Sequence, residues 1–577
     1  MKKDYIVVAI KITALTFGVL FMAFILLYSH FLFSSDTLAS DIIVQEIMSH
    51  KTLAISDYWS QQTFFQFNIL FWLPKLLLWL IIPNIIVVDK ICVALLYLLF
   101  LFLVYLVSKS FLKNESAWIV VGVLGCGISY GWMVNAVVEI AYTIYLIYML
   151  AFLGLSNYIF ENLEQKRNRK QNIVLIILAL LVIYVLAIDQ RYVVVFIIPY
   201  CIAIALVYYI DNYKVNALKD LGKISLLNFG ILFCVMGTSA LVGLFINSYL
   251  KKSLPFSPRL TGVMNYQFAE PQDFFKSLAI HIAGILQLWG CDLNTSVSTL
   301  SFESIGYLIK GILCITCMVI IPVLCAIKYK KMPRGIKVLL LFYIIMVSIL
   351  FYIYVFSVLG TTANNRYFTY EIILAIQISS WYLYENMIKP HNLNRFLFIV
   401  ALVCFGVISQ LTTFTIVMKN NGFKEQYEAR EFLIEALKEC DLSYGYATYW
   451  NAQIITSMSN AQIKVLPVNI MESAVISFYD MNYNHQFSAD NYKGKSFIVF
   501  TNQEYEEFSE RLEQIYIEGA RPEEIVNINN YVILLYDYNI AEKFMDFSYN
   551  VDYLPFADCY SIEQTICKGN YIEFDNL

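Results

Sequence analysis

The sequence has few charged residues for its length. Asp, Glu, Lys and Arg make up 15% of the 577 residues, whereas a soluble domain carries about 25%. Hydrophobic residues make up 59%. This balance excludes an ordinary soluble protein, because such a protein could not cover so much apolar surface. Repeated apolar stretches of about 20 residues are instead typical of a multi-pass membrane protein.

The sequence also lacks the patterns by which metal sites are identified. No CxxC pair has a companion pair, and the five histidines form no zinc pattern. The twelve cysteines lie mostly within the apolar stretches, where a cysteine usually packs as a small apolar residue. Cys559 and Cys567 are two that could form a disulfide if their domain lies outside the cytoplasm. No internal repeat and no low-complexity tract is evident.

The apolar stretches predict eleven transmembrane helices. The first runs from about Ile6 to Phe33, which is far longer than the apolar core of about 7–15 residues in a cleavable signal peptide. We therefore interpret it as an uncleaved first span. The predicted spans are roughly 6–31, 86–108, 117–132, 138–159, 172–188, 192–210, 224–247, 305–327, 338–357, 367–385 and 396–417.

Basic residues predict the orientation of these spans. With the amino terminus in the cytoplasm, 19 of the 30 Lys and Arg residues before position 420 fall on the cytoplasmic side, as the positive-inside rule requires. The segment Gln62–Pro83 is apolar enough to span, but it would reverse this pattern for the next loops. We therefore expect it to form a pair of interfacial helices on the outer surface.

The carboxyl-terminal segment differs in character from the rest. From Asn420 onward there are 10 Lys and Arg against 25 Asp and Glu, and eleven spans put this acidic segment outside. The sequence thus predicts a membrane domain, 1–417, with outer loops 34–85 and 248–304, and a small extracytoplasmic α/β domain, 418–577. Within it, 424–440 and 503–519 are helix-like, and 463–468, 496–500 and 531–536 are strand-like.

Several charged residues fall at the outer boundary of the predicted spans. Charges close to hydrocarbon cost roughly 2.5–3.5 kcal/mol each and are usually paired or functional. We therefore expect these residues to converge at one site: Asp36, Asp41, Glu46, Asp57, Glu139, Asp189, Arg191, Arg259, His281 and Arg366.

Each of these residues also has a purely structural interpretation. Asp36 and Asp41 lie about one and a half helical turns apart and could face one cavity, where a carboxylate can accept a proton from an alcohol. Asp36 could equally cap a helix. The arginines could bind a phosphate through their guanidinium forks or simply reach into water at the interface. Glu139 could pair with either Arg191 or Arg366 as a structural bridge, and His281 fits loop structure better than a catalytic acid.

The order of these features resembles the GT-C superfamily of integral membrane glycosyltransferases. The resemblance is closest to bacterial members related to 4-amino-arabinose lipid A transferases and protein O-mannosyltransferases. It covers residues 1–417 and rests on Phe33-Ser34-Ser35-Asp36-Thr37-Leu38-Ala39-Ser40-Asp41, on Gln62–Phe71, on Glu139, on Asp189-Gln190-Arg191 and on Arg366-Tyr367-Phe368. The tail, with Tyr444-Gly445-Tyr446-Ala447-Thr448-Tyr449-Trp450-Asn451-Ala452, is similar to tails of Gram-positive relatives.

The resemblance implies a function and a location. The protein would lie in a bacterial plasma membrane and transfer a sugar from a polyprenyl-phosphate carrier to a cell-surface polysaccharide, glycolipid or protein. Asp36 would act as general base, and the anomeric carbon would be inverted. Glu139, Asp189, Arg191, Arg259, Arg366 and Tyr367 would bind substrate. The first loop lacks an Asp-x-Asp pair, which argues against a divalent cation without excluding one. Nothing in the pattern suggests binding of nucleic acid.

Three other functions remain open at this point. Polymerases and ligases of the O-antigen type also have ten or more spans and outer arginines, although their large loop falls late in the chain. A transporter or lipid flippase would place charges near the middle of its spans and often shows repeated halves, neither of which is apparent here. A scaffold without activity is also compatible with the sequence.

Overall fold

The computed structural model describes most of the chain, and the described residues fall into two compact units. The first consists of Met1–Leu26, Val93–Leu250 and the described parts of Gly262–Ile416. The second takes in the described parts of Leu27–Cys92 and of the chain from Val417 onward. The described residues are 2–50, 58–59, 63–112, 114–213, 223–253, 268–291, 301–357, 360, 365–389, 392–420, 422–470, 476–478, 482–483, 486, 489–517 and 519–544.

Helices dominate the fold. In chain order they are α1 (Lys2–Tyr28), α2 (Ser35–His50), α3 (Ile69–Trp79), α4 (Ile85–Phe111), α5 (Asn114–Gly125), α6 (Tyr130–Met133), α7 (Ile140–Glu161), α8 (Arg169–Ile188), α9 (Ile198–Tyr213), α10 (Lys223–Ser253), α11 (Phe274–Leu288), α12 (Phe302–Ile315), α13 (Ile321–Ile327), α14 (Arg334–Phe356), α15 (Thr369–Leu383), α16 (Asn392–Thr415), α17 (Phe423–Glu439), α18 (Tyr449–Met458) and α19 (Asn502–Ile517). The strands are β1 (Tyr58–Trp59), β2 (Tyr444–Thr448), β3 (Lys464–Ile470), β4 (Ile476–Phe478), β5 (Asn482–Tyr483), β6 (Ser496–Thr501), β7 (Glu524–Ile528) and β8 (Tyr531–Tyr536).

Nine helical segments of the described chain are long and apolar enough to cross a membrane. They begin at Val7, Ile85, Ile140, Arg169, Val193, Ile224, Ser304, Arg334 and Leu393. Each coincides with one of the predicted spans, and a helix of about 20 apolar residues matches the thickness of a bilayer. The prediction of a multi-pass helical membrane protein is therefore confirmed, while the count of eleven is not established.

The predicted span 117–132 is not one straight helix. Asn114–Gly125 and Tyr130–Val138 form a bent pair with an angle of 94°. The chain turns at Gly127, whose φ of +64° suits a residue without a side chain. Ser129 then caps α6 by accepting a hydrogen bond of 2.9 Å from the backbone N–H of Trp132. If the pair crosses the membrane as one broken span, the described residues hold ten spans.

The predicted span 367–385 is a helix but is not among the nine. Residues Thr369 to Ser380 of α15 are all buried, so that other helices of the first unit, rather than lipid, surround it. This burial explains why the helix tolerates polar residues. The amide of Gln377, for example, donates to the Ser108 hydroxyl at 3.0 Å.

The apolar segment predicted at 62–83 contains a helix that is too short to cross a membrane. It contains a 3₁₀ turn, Phe65–Phe67, and the eleven-residue helix α3, which has Pro74 in its interior. The structure thus has one α-helix here where a pair was predicted. This segment and α2 belong to the second unit.

The second unit contains a six-stranded sheet in the order β4-β3-β2-β6-β8-β7. The central strand β2 is parallel to both β3 and β6, and the remaining pairs are antiparallel. A separate two-stranded pairing joins β1 of the first loop to β5. The predicted α/β character of the carboxyl-terminal segment is therefore confirmed.

Apolar side chains cover both faces of this sheet, as is usual for parallel strands. On one face, Phe508 and Leu512 of α19 pack with alternate residues of the central strands. On the other face, Leu433 of α17 and Ile455 of α18 do the same. The predicted helices 424–440 and 503–519 and the three predicted strands lie within two residues of the observed ones. The sequence interpretation missed β2, α18, β4 and β7.

Candidate functional site

Arg191 lies in a tight turn between α8 and the π-helical turn Val193–Ile197. Asp189 closes this turn by accepting a hydrogen bond of 2.9 Å from the Arg191 backbone N–H. The same carboxylate accepts from Nε of Arg191 at 3.0 Å and from Nη2 at 2.6 Å. Such a two-pronged pair fixes the plane of the guanidinium. The local sequence Asp-Gln-Arg therefore contributes directly to the orientation of this arginine.

The ion pair also stabilises the charged form of Arg191. Burial acts to lower the pKa of Arg191, but the Asp189 carboxylate and its hydrogen bonds outweigh this effect, and the pKa lies well above its ordinary value. The Arg191 side chain remains 23% exposed, against 2% for Asp189. The guanidinium thus presents part of its surface, whereas its counterion is enclosed.

Two tyrosines connect Arg191 to a second ion pair in the same unit. Nη1 of Arg191 donates to the Tyr367 hydroxyl at 2.7 Å, and the rings of Tyr367 and Tyr142 meet edge to face at 5.9 Å between centroids. The Arg366 guanidinium carbon lies 5.2 Å from the centre of the Tyr142 ring, a cation–π distance. Arg366 also lies 3.7 Å from the Glu139 carboxylate.

The first unit therefore brings together five of the residues predicted to bind substrate. We call this group the arginine cluster: Glu139, Asp189, Arg191, Arg366 and Tyr367. Its members come from three distant parts of the chain, and its two guanidiniums are each paired with a carboxylate. Guanidiniums held in place in this way can bind an oxyanion without further ordering of their side chains.

Asp36 belongs to the second unit and lies in the first turn of α2. It is not the N-cap residue, because the helix begins one residue earlier, at Ser35, and Thr37 bonds both the backbone N–H and the carbonyl of Ser34. Its Oδ1 accepts a hydrogen bond of 2.5 Å from the hydroxyl of Tyr449. The side chain is half-buried. A carboxylate in the first helical turn is also stabilised by the helix dipole.

Asp41 forms part of a buried ion triad. Its Oδ1 lies 2.8 Å from Nζ of Lys75, which in turn lies 2.5 Å from Oδ1 of Asp89, and its Oδ2 accepts from the Ser457 hydroxyl at 2.7 Å. All three charged side chains are 1–2% exposed. Burial acts to lower the pKa of Lys75, but the two carboxylates raise it above its ordinary value. Asp41 is thus engaged by structural partners.

Of the other predicted residues, the structure describes His281 but not Arg259. His281 lies on α11 between the rings of Phe351 and Phe368, and burial lowers its pKa to about 4. It is therefore neutral at pH 7 and unsuited to donate a proton from a charged form. Arg259 lies outside the described residues, as do Asp57, Cys559 and Cys567.

The sequence interpretation missed four residues that complete these groups. Lys75 and Asp89 are charges within apolar helices, a signal that could have identified them. Tyr449 and Ser457 carry no such signal, because each contacts a residue more than 400 positions away. Within the described part of the chain, no three His, Cys, Asp or Glu side chains are arranged to hold a metal ion.

No protein-family model matches the chain, and no curated protein shows significant similarity to it.

Replacing Lys75 by Met should strongly destabilise the protein. The variant leaves Asp41 and Asp89 buried without their cation, and we expect the free energy of unfolding to fall by about 3–5 kcal/mol. Thermal unfolding of the purified protein in detergent measures the change. Lys438→Met removes an exposed lysine of the same unit and should leave the melting temperature within about 1 °C, since surface substitutions of this kind usually change stability little.

A triple variant separates charge imbalance from lost packing. Asp41→Asn, Lys75→Met and Asp89→Asn together remove all three charges, and they should recover most of the stability that Lys75→Met alone loses. A melting temperature of Lys75→Met equal to that of the unsubstituted protein would show that the triad does not stabilise the fold.

Proposed function

We propose that the protein is a membrane glycosyltransferase that transfers a sugar from a polyprenyl-phosphate carrier to a hydroxyl group of a cell-surface acceptor. The observation that carries this proposal is the arginine cluster. One of its members, Arg191, lies close in sequence to residues that line an apolar groove. A lipid phosphate needs two such surfaces together, one for its anionic head and one for its hydrocarbon chain. The resemblance of residues 1–417 to the GT-C superfamily points to the same substrate class.

The groove has a volume of about 490 Å³ and lies between α9 and α10. Its lining is apolar and includes Val193, Ile197, Cys201, Phe233 and Gly237. The lining begins at Val193, two residues after Arg191. We assign the groove to the isoprenoid chain of the donor, and Arg191 and Arg366 to its phosphate.

The orientation of the chain supports an outer location for the chemistry. The nine spans, the bent pair and α15 give eleven crossings if each of the last two crosses once. With the amino terminus in the cytoplasm, 19 of the 30 Lys and Arg residues before position 420 then fall on the cytoplasmic side, and the acidic carboxyl-terminal segment falls outside. In this arrangement the acceptor would reach the enzyme from the cell surface of a bacterium.

The proposed reaction is a single displacement. The acceptor hydroxyl oxygen attacks the anomeric carbon, and Asp36 takes the proton of that hydroxyl. The bond between the anomeric carbon and the phosphate oxygen breaks, and the polyprenyl phosphate leaves with the electron pair. The guanidiniums of Arg191 and Arg366 stabilise the negative charge on the leaving phosphate. Attack from the opposite face inverts the anomeric carbon.

The two aspartates of α2 receive different roles in this proposal. Asp36 is half-buried and accepts a hydrogen bond from the uncharged Tyr449 hydroxyl, so that part of the residue can be reached by an acceptor. Asp41 is buried and neutralised by Lys75, which favours a structural role. We therefore assign the proton transfer to Asp36 alone.

Asp36→Asn should abolish transfer while leaving the fold intact. An amide cannot take the proton of the acceptor, and loss of a general base costs roughly 100- to 10,000-fold in rate. The assay uses purified protein in proteoliposomes with polyprenyl-phosphate-linked hexoses and pentoses and a cell-envelope extract as acceptor source, and mass spectrometry measures the polyprenyl phosphate released. Asp537→Asn, at an exposed aspartate, should transfer normally. Transfer by Asp36→Asn at the unsubstituted rate would remove Asp36 from the mechanism.

Filling the groove should weaken donor binding selectively. A Cβ at Gly237 or at Gly230 of the same helix α10 would meet no atom within 4 Å, but only Gly237 lines the groove. We expect Gly237→Trp to raise the KM for the donor tenfold or more, which corresponds to about 1.4 kcal/mol, and Gly230→Trp to leave it unchanged. Equal KM values for the two variants would exclude the groove as the site of the lipid chain.

A further inference from the structure

The sheet of the second unit has a topological switch point at the carboxyl ends of β2 and β6. From β2 the chain crosses through α18 to β3 on one side, and from β6 it crosses through α19 to β7 and β8 on the other. In open α/β sheets, functional groups gather outside the strand ends at such a point. Tyr449 is the first residue after β2 and therefore lies there.

Glu504 fixes the backbone that precedes Tyr449. Its carboxylate accepts a hydrogen bond of 2.6 Å from the Thr448 hydroxyl and one of 3.2 Å from the Asn451 amide. It also accepts from the Thr501 backbone N–H at 2.7 Å, while Thr501 Oγ1 accepts from the Glu504 N–H at 3.2 Å. This reciprocal pair is a capping box at the start of α19. One buried carboxylate thus joins the starts of both crossover helices and holds Tyr449 in a defined place.

Tyr449 makes two hydrogen bonds to the start of α2. Its hydroxyl donates to Oδ1 of Asp36 at 2.5 Å, and its carbonyl accepts from the Ser35 hydroxyl at 2.5 Å. Further along the same two helices, Ser457 of α18 donates to Asp41 at 2.7 Å. The bond between Tyr449 and Asp36 is therefore part of a packed helix pair rather than an isolated surface contact.

We propose that Tyr449 is a positioning residue for sugar transfer, whose hydroxyl holds the Asp36 carboxylate in the orientation in which it accepts the proton of the acceptor. This inference rests on the proposed function and extends it, because it gives the carboxyl-terminal α/β domain a part in the chemistry. The hydroxyl leaves the charge of Asp36 unchanged and restricts the rotation of its carboxylate. Correct orientation of a catalytic group contributes to the rate of the chemical step rather than to the affinity for substrate.

Tyr449→Phe tests this inference in the full-length protein. We expect kcat to fall roughly ten- to a hundredfold, as for a catalytic group misplaced by about 1 Å, with the KM values for donor and acceptor unchanged. The matched control is Tyr446→Phe, which also removes a buried hydroxyl in the same sheet, one that donates to Asn539 at 2.6 Å. A purely structural hydroxyl changes stability only, so Tyr446→Phe should keep the unsubstituted kcat. A kcat of Tyr449→Phe equal to that of Tyr446→Phe would overturn the inference.

A thermal measurement tests the contact without using activity. We expect the losses in melting temperature of Tyr449→Phe and Asp36→Ala to be less than additive in the double variant, because both remove the same hydrogen bond. Fully additive losses would contradict the contact. The failure of this inference is also separable from failure of the proposed function. If Asp36→Asn abolishes transfer and Tyr449→Phe keeps its full kcat, only the positioning role is lost.

Discussion

A charged side chain next to hydrocarbon is stable only when an opposite charge or a set of hydrogen bonds compensates for the water it has lost. This constraint governs both units of the protein. Asp189 and Arg191 close the turn between two spans, and Glu139 faces Arg366 at the start of another. In the second unit, Lys75 lies between Asp41 and Asp89. The few charges of this chain thus determine which loops and helices can lie together.

Pairing and function impose different requirements on the same residues. The triad around Lys75 is enclosed on all sides, so its charges serve the fold. The guanidiniums of Arg191 and Arg366 are paired but remain partly exposed, so they can receive an anion while staying charged. Asp36 lies between these cases, because it is half-buried and Tyr449, which donates to its Oδ1, is uncharged. This difference in partners is the physical basis for separating structural from reactive carboxylates.

The sequence predicted those features that follow from local pattern. Nine apolar runs coincide with helices long enough to span, and the charges at the ends of those runs identified Glu139, Asp189, Arg191 and Arg366 before their proximity was known. The bend at Gly127 was missed because apolar periodicity does not register a single left-handed residue. The span predicted at 367–385 is a helix enclosed by protein, and composition alone does not distinguish lipid from protein surroundings.

Contacts between distant parts of the chain could not be predicted in this way. Tyr449 contacts Asp36 across more than 400 residues, because α18, which begins at Tyr449, packs against α2. Lys75 and Asp89 were recognisable as charges in apolar helices, but the pairing of Lys75 with both Asp89 and Asp41 was not. That the arginine cluster and Asp36 serve one reaction stays a prediction.

The proposed reaction requires Asp36 to lie outside the cytoplasm, and Cys440 tests this directly. Cys440 is exposed and belongs to the same unit as Asp36. Intact cells are treated with a membrane-impermeant maleimide, and mass spectrometry of the peptide that contains Cys440 measures labelling, with Cys440→Ser to verify the assignment. We predict labelling in intact cells at the level found after permeabilisation; labelling only after permeabilisation would place Asp36 in the cytoplasm and contradict the account.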